Sequence, residues 1–271
     1  MKFSAWFYVF AAAALAACET VQTTQGGVVG VERRQTMSSL ISASQVDQSA
    51  AEAYGQVISE AGKKNQLNRD SAQVERVRAV ANRLIPNTAA FRADAPRWSW
   101  EVNVITSPEV NAWCMPGGKI AVYSGLLTKL NPTDEELAAV MGHEIAHALR
   151  EHGRERASEQ VAQRLGVSVL SAALGLGDAG AQLTQTLLEV TLSLPHSRIH
   201  ETEADRIGVE LAARSGYDPR AAVSLWQKMG KLGGGKPPEW MSTHPSDQTR
   251  IRDLQNYSER VAPLYEAARR R

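Results

Sequence analysis

Five consecutive residues, His143-Glu144-Ile145-Ala146-His147, restrict what this chain can fold into more than any others do. Positions four apart on an α-helix lie about 40° apart around its axis, so the two imidazoles share a face only where the segment is helical. The residues upstream open such a helix. Thr133 stands before Asp134, Glu135 and Glu136, an N-cap candidate with a capping-box glutamate three residues later. Gly142 leaves room for close packing beside the first histidine. Glu144 then lies about 100° from His143, beside whatever the two rings hold.

Two imidazoles from one helix can grip one metal ion, and with a carboxylate as third ligand they leave a position open for water. Glu144 is placed to take a proton from that water and pass it on. Zinc, one ion per chain, is the expected metal. Two histidines and a glutamate at this spacing arise by chance in roughly one chain of this length per hundred. The bland alternative is a pair of surface histidines, and the well-formed helix start argues against it.

The third ligand is sought in segment 196–205, which carries His196, His200, Glu201, Glu203 and Asp205. On a helix Glu201 and Asp205 share a face, while Glu203 points about 160° away from Asp205. This assigns Glu201 as the ligand and Asp205 as the outer-shell carboxylate that orients a ligating ring. His200 and Glu203 stay open as alternatives. His152 follows His147 by five residues, about 140° around a continuous helix, so a structural or surface role is expected; His196 is expected to be structural too.

The rest of the chain sets this segment in a single domain. Residues 1–17 pair a positive start, Lys2, with a 13-residue apolar run over 5–17, too short to span a bilayer but suited to a secretory signal. It ends Leu15-Ala16-Ala17-Cys18, similar to a bacterial lipobox, which makes Cys18 a candidate for lipidation and Glu19 consistent with the outer membrane. Residues 18–36, polar and glycine-containing, read as a flexible lipid-anchored tether, leaving 37–271 as the folded domain. Without residues 1–17 the chain has 29 basic and 29 acidic side chains. That balance gives no nucleic-acid footprint. Cys114 is then the only other thiol, so no internal disulfide is expected, and it reads as a half-buried strand residue.

Hydrophobic periodicity predicts helices over 44–61 and 71–84 and a strand over 98–105. Two short extended pieces, 111–115 and 119–123, are joined by a turn or bulge at Pro116-Gly117-Gly118. A helical turn is predicted over 125–130. Helix then runs from 133 through 149 and, after an adjustment near Gly153, to about 174, with a break over 175–180. Further helices are predicted over 181–194, 198–214, 219–231 and 246–268, with a mobile loop over 233–238. The pattern is α+β: a mainly helical domain with a small, mainly antiparallel sheet.

With these residues in hand, the chain resembles the HtpX-like and CAAX-prenyl-endopeptidase-like zinc metalloproteases, gluzincins, and among them the envelope lipoproteins of the LoiP and BepA kind and the mitochondrial OMA branch. The resemblance covers roughly residues 38–257. It rests on His143-Glu144 with His147; on Glu201 with Asp205; on Asn111-Ala112 through Pro116-Gly117-Gly118 and on to Leu127; and on Thr243-His244-Pro245 with Arg250 six residues after the histidine.

The resemblance implies a zincin-like fold in which Glu201 completes the zinc site. It also implies that segment 111–118 is an edge strand lining the cleft, where an extended substrate can add through main-chain hydrogen bonds. For His244 three roles stay open: a reversible ligand that keeps the enzyme latent, an oxyanion stabiliser, or a packing residue. Arg250 is expected to pair with a carboxylate near the site, as a structural or a catalytic partner.

One departure is plain. Where membrane-embedded relatives carry spanning helices, segment 161–194 is interrupted by Asp178, Glu189 and glycines. The expected protein is therefore an outer-membrane lipoprotein facing the periplasm of a Gram-negative bacterium. It would cleave unfolded or misassembled envelope proteins, with outer-membrane assembly machinery as a further partner. The main rival is a largely latent protease acting as a chaperone-like assembly factor.

Overall fold

Thr133 caps the central helix through both bonds of a capping box: the Glu136 backbone N–H donates to Thr133 Oγ1 (3.2 Å), and the Thr133 N–H donates to Glu136 Oε2 (2.9 Å). This computed structural model describes residues 18–168, 179–232, 239–244 and 248–270. In chain order the elements are β1 (Cys18–Val21), β2 (Gln35–Ser38), α1 (Ala43–Lys63), α2 (Ser71–Leu84), β3 (Glu101–Ile105), β4 (Ala112–Met115) and β5 (Lys119–Tyr123). They continue as α3 (Ser124–Lys129), α4 (Asp134–Leu149), α5 (His152–Ser168), α6 (Ala179–Leu192), α7 (Arg198–Arg214), α8 (Ala221–Leu232), α9 (Glu239–Thr243) and α10 (Gln248–Arg269).

The fold is α+β and mainly helical. Helix α4 is its centre, with residues 136–149 all buried. It packs against α7, and α10 covers α7 from outside. The α4–α7 crossing is close because glycine meets glycine. A Cβ on Gly142 would lie 2.9 Å from Gly208 O, and one on Gly208 would lie 2.7 Å from the His143 backbone nitrogen. No larger residue fits either position without separating the helices. This contact places the two α4 histidines against the acidic first half of α7.

β3, β5 and β4 form a three-stranded sheet in that order. β4 is an edge strand, antiparallel to β5, and Gly117 and Gly118 turn between them with φ of 73° and 81°. β3 pairs with β5 in parallel, against the expectation of a mainly antiparallel sheet. The reason is connectivity: β4 lies between them in sequence and takes the outer position, so β5 returns beside β3 in the same direction.

Three further differences from the sequence reading matter for the site. The helix expected to run from 133 to about 174 breaks at Arg150 and Glu151, where Glu151 takes φ 52°, and α5 starts afresh at His152. α6 begins at Ala179, inside the stretch expected as a break.

Residues 18–36 do not behave as a free tether. β1 and β2 pair as a hairpin, Val29, Val31 and Met37 are buried, and the Val29 N–H donates to Glu210 Oε2 (2.9 Å). A polar segment reads as flexible when its partners lie far along the chain, and here they are carboxylates more than a hundred residues later. Residues 1–17, expected as a signal, and the loop expected over 233–238 lie outside the described residues. Among those described, no helix is long and apolar enough to cross a membrane.

Candidate metal centre

The glycine crossing brings His143, His147 and Glu201 together, and His244 joins them from the end of α9. His143 Nε2 lies 3.1 Å from His147 Nε2 and 3.1 Å from His244 Nδ1. Glu201 Oε1 lies 3.4 Å from His147 Nε2 and 3.0 Å from His244 Nδ1. All four side chains are buried. Ligands about 2.0–2.1 Å from a tetrahedral zinc stand roughly 3.3 Å apart, so this spacing suits one ion.

The hydrogen bonds around the two rings test that fit. Asp205 Oδ1 is 2.9 Å from His143 Nδ1 and accepts from Arg250 as well, so the proton of His143 sits on Nδ1 and its Nε2 carries a lone pair. His147 Nδ1 is 2.8 Å from His152 Nδ1, and His152 Nε2 is 3.0 Å from Glu203 Oε2. Burial pushes His152 and His147 well below the ordinary imidazole value, which favours the neutral form of both rings. His152 then donates from Nε2 to Glu203 and accepts at Nδ1 from His147. The Nε2 of His147 is left with a lone pair too. Two acceptor nitrogens 3.1 Å apart in a buried site call for a positive centre between them, and a cation beside Glu201 supplies one. The residues fit the metal.

Charges are arranged to match. Burial alone would raise Asp205, but Arg250 and His143 outweigh it and keep the carboxyl below its ordinary value. Arg250 donates from Nε to Asp205 Oδ2 (2.7 Å), places Nη1 2.7 Å from Glu201 Oε2, and lies over the Trp226 ring. Glu201 is likewise pushed up by burial, and its histidine neighbours pull it well below the usual carboxylate range. Glu144 goes the other way: burial raises its carboxyl above the ordinary value.

Two aromatic neighbours were not expected. Trp240 on α9 donates its indole N–H to Glu144 Oε1 (2.7 Å) and stacks on His244, with centroids 4.8 Å apart. His196 lies against the site, its ring 4.2 Å from that of His147 and 4.9 Å from that of His244. Trp240 four residues before His244 on a helical spacing was the available signal. On one continuous helix His152 would face away from His147; the break at Glu151 turns it back onto that ring.

The edge-strand residues lie alongside. Asn111, Ala112, Pro116 and Gly118 are buried and Gly117 is partly exposed, with β4 packed against α4 and α6. The Trp240 N–H donates to Val110 O just before β4 (3.2 Å), so α9 closes this end of the cleft. Cys114 is buried, and burial raises its thiol well above the ordinary value. It lines a small cavity with Glu144, His147 and His196. Cys18 opens β1.

A second cluster, His152, Glu155 and His200, also has ligand-like spacing. Its carboxylate is already satisfied. Arg33 holds Glu155 through two hydrogen bonds (2.6 and 2.9 Å), Gln35 adds a third, and His200 lies 3.1 Å away. The Arg33 guanidinium already neutralises this carboxylate.

A His-Glu-x-x-His helix, a carboxylate from a crossing helix and an edge strand beside them define a metallopeptidase domain. The sequence pattern of Peptidase family M48 matches residues 71–258, and the chain belongs to that family. It is similar to the mitochondrial metalloendopeptidase OMA1 of Arabidopsis thaliana, 42% identical over 156 residues, or 58% of this chain and 31% of that protein. It is similar to the mitochondrial metalloendopeptidase OMA1 of Bos taurus, 36% identical over 206 residues, 71% and 38% of the two chains. It is also similar to the beta-barrel assembly-enhancing protease of Yersinia pestis, 31% identical over 206 residues, 72% and 40% of the two chains. The chain thus spans less than half the length of these relatives. The domain is thus that of a Peptidase family M48 member, and its cluster of His143, His147, Glu201 and His244 has the donor types and spacing to hold one zinc ion.

Proposed function

We propose that the chain is an envelope endopeptidase that hydrolyses peptide bonds in unfolded or misassembled proteins. In this reading it is held at the periplasmic face of the outer membrane by lipid on Cys18. The convergence of two lone-pair imidazole nitrogens with a buried carboxylate, one helical residue from Glu144, carries the catalytic part. The envelope part is supported by the lipobox-like Leu15 to Cys18 sequence and by the beta-barrel assembly-enhancing proteases among the relatives. The OMA1 relatives are mitochondrial by name, so the address rests on the leader sequence.

His143, His147 and Glu201 are assigned as the zinc ligands, with Asp205 orienting His143 and Arg250 holding Asp205 and Glu201 in place. Bound zinc would polarise the scissile carbonyl and acidify the attacking water. Glu144 takes a proton from that water and delivers it to the leaving amine, and its raised pKa suits both halves of the task. β4 is the outer strand of its sheet, and with α9 moved aside its backbone edge takes an extended substrate, with Asn111, Ala112 and Pro116 to Gly118 framing it; this demands little of the substrate's side chains.

The position of His244 and Trp240 favours a second element of the reading. His244 stands at the fourth position of the site and Trp240 on the general base, an arrangement that keeps the peptidase latent. In that state the protein acts as a chaperone-like assembly factor with outer-membrane assembly machinery as partner.

Cleavage of unfolded casein by the purified chain, with and without chelator and beside Glu144→Gln, tests the whole. The expected result is loss of cleavage in the variant with zinc still bound. A fully active variant refutes the mechanism. A wild type that cuts nothing, with Glu144→Gln still rescuing envelope defects, leaves only the assembly role.

A further inference from the structure

We propose that Arg33, in the strap between β1 and β2, is a positioning residue for His147, acting through Glu203 and His152. The inference rests on the assignment of His147 as a metal ligand. Its starting point is an asymmetry. His143 is oriented by a carboxylate, Asp205, in the usual way for a ligating imidazole. His147 is oriented by another imidazole, His152, which can present either a lone pair or an N–H from the nitrogen that faces it. A ring with that freedom fixes nothing unless its other nitrogen is fixed.

Glu203 does the fixing. Its Oε2 lies 3.0 Å from His152 Nε2, so it accepts a hydrogen bond from Nε2–H and leaves Nδ1 of His152 as an acceptor toward His147. Glu203 is held in turn by two guanidinium groups. Arg33 donates from Nε to Oε1 (2.7 Å) and from Nη2 to Oε2 (3.1 Å), and Arg150 donates from Nε to Oε2 (3.1 Å) and from Nη2 to Oε1 (3.2 Å).

Arg33 carries the strap's contribution. It also grips Glu155, and its backbone oxygen accepts from Arg150 Nη2 (2.9 Å), so strap, α5 and α7 share one network. Without Arg33, Glu203 loses half its guanidinium bonds and is free to turn from His152. His152 can then reverse its tautomer and point an N–H at His147 Nδ1. That forces the proton of His147 onto Nε2, the atom needed for the metal.

The test uses the whole purified chain. Zinc stoichiometry is measured first, then zinc affinity by chelator competition for wild type, Arg33→Met, Arg33→Lys and His152→Phe. Ring tautomers are read from imidazole nitrogen NMR, and thermal unfolding is followed in parallel. His152→Phe is expected to weaken zinc binding about 10- to 100-fold, the usual effect of losing an outer-shell partner. Arg33→Met is expected to weaken it by about tenfold and to mix the tautomers of His152, with Arg33→Lys restoring part of the affinity.

If Arg33→Met fails to fold, Arg33→Lys carries the test, because it keeps the charge and loses the fork. Wild-type zinc affinity and unchanged tautomers in an Arg33 variant, with only thermal stability reduced, overturn the proposal and leave Arg33 as a fastening. A wild-type chain that holds no zinc overturns the site assignment beneath it.

Discussion

The Trp240 indole donates a 2.7 Å hydrogen bond to Glu144, so the residue best placed to activate water is bonded to α9 instead. α9 has to leave before a substrate can reach either β4 or the base. A hydrogen bond to a charged group is worth about 1.5–3 kcal/mol when removed. Trp240→Phe keeps most of the packing and removes that bond. It is expected to raise casein cleavage by roughly tenfold, since about 1.4 kcal/mol is tenfold in a population. Activity that falls in this variant would mean the indole supports catalysis and does not restrain it.

The site depends on how closely α4 and α7 approach. Gly208→Ala places a methyl 2.7 Å from the His143 nitrogen, and overpacking of this kind costs about 1–3 kcal/mol. Denaturant unfolding is expected to show that loss, with weaker zinc binding because Glu201 and Asp205 move with α7. Gly230 on α8 has nothing near its missing Cβ, and Gly230→Ala is the control, expected to stabilise by up to about 1 kcal/mol. Equal effects at the two positions would show that helix propensity, not the crossing, decides the outcome.

Much of this site is legible from the chain because its rules are local. The capping box at Thr133 sets the start of α4, the four-residue spacing aligns His143 with His147, and the same spacing on α7 aligns Glu201 with Asp205. What escaped is tertiary. Nothing at Glu151 announces a left-handed residue, so the turn that delivers His152 to His147 cannot be read from periodicity. Arg33 and Gln35 look like a linker until Glu155 and Glu203 are placed beneath them, and Trp240 meets Glu144 across 96 residues. The parallel pairing of β3 with β5 is hidden for the same reason.

Glu155 gives the strap a pH signature. Burial raises its carboxyl, but the bonds from Arg33, His200 and Gln35 outweigh this and set it well below its ordinary value of 4.5. A depressed folded value means the unfolded chain takes up the proton first. The stabilisation is therefore complete above about pH 4.5 and is lost as pH falls further. The stability gap between wild type and Glu155→Gln, from urea unfolding, is expected to narrow steadily below that pH. A gap that stays constant would show that Glu155 acts only through shape.

Metal removal tests the electrostatic core of the site. His143 Nε2 and His147 Nε2 stand 3.1 Å apart beside the Glu201 carboxylate, so a bound cation joins α4 to α7 and chelation removes that link. A ligand present at about a thousand times its dissociation constant stabilises the folded state by about 4.1 kcal/mol. In a domain of this size each kcal/mol shifts the midpoint by about 2–4 °C, so chelation is expected to lower Tm by roughly 8–16 °C. His143→Ala, which removes one of the two imidazole nitrogens, should be less sensitive to chelator than wild type. Equal melting of the loaded and stripped wild-type chains would leave the convergence of these side chains without a cation to explain it.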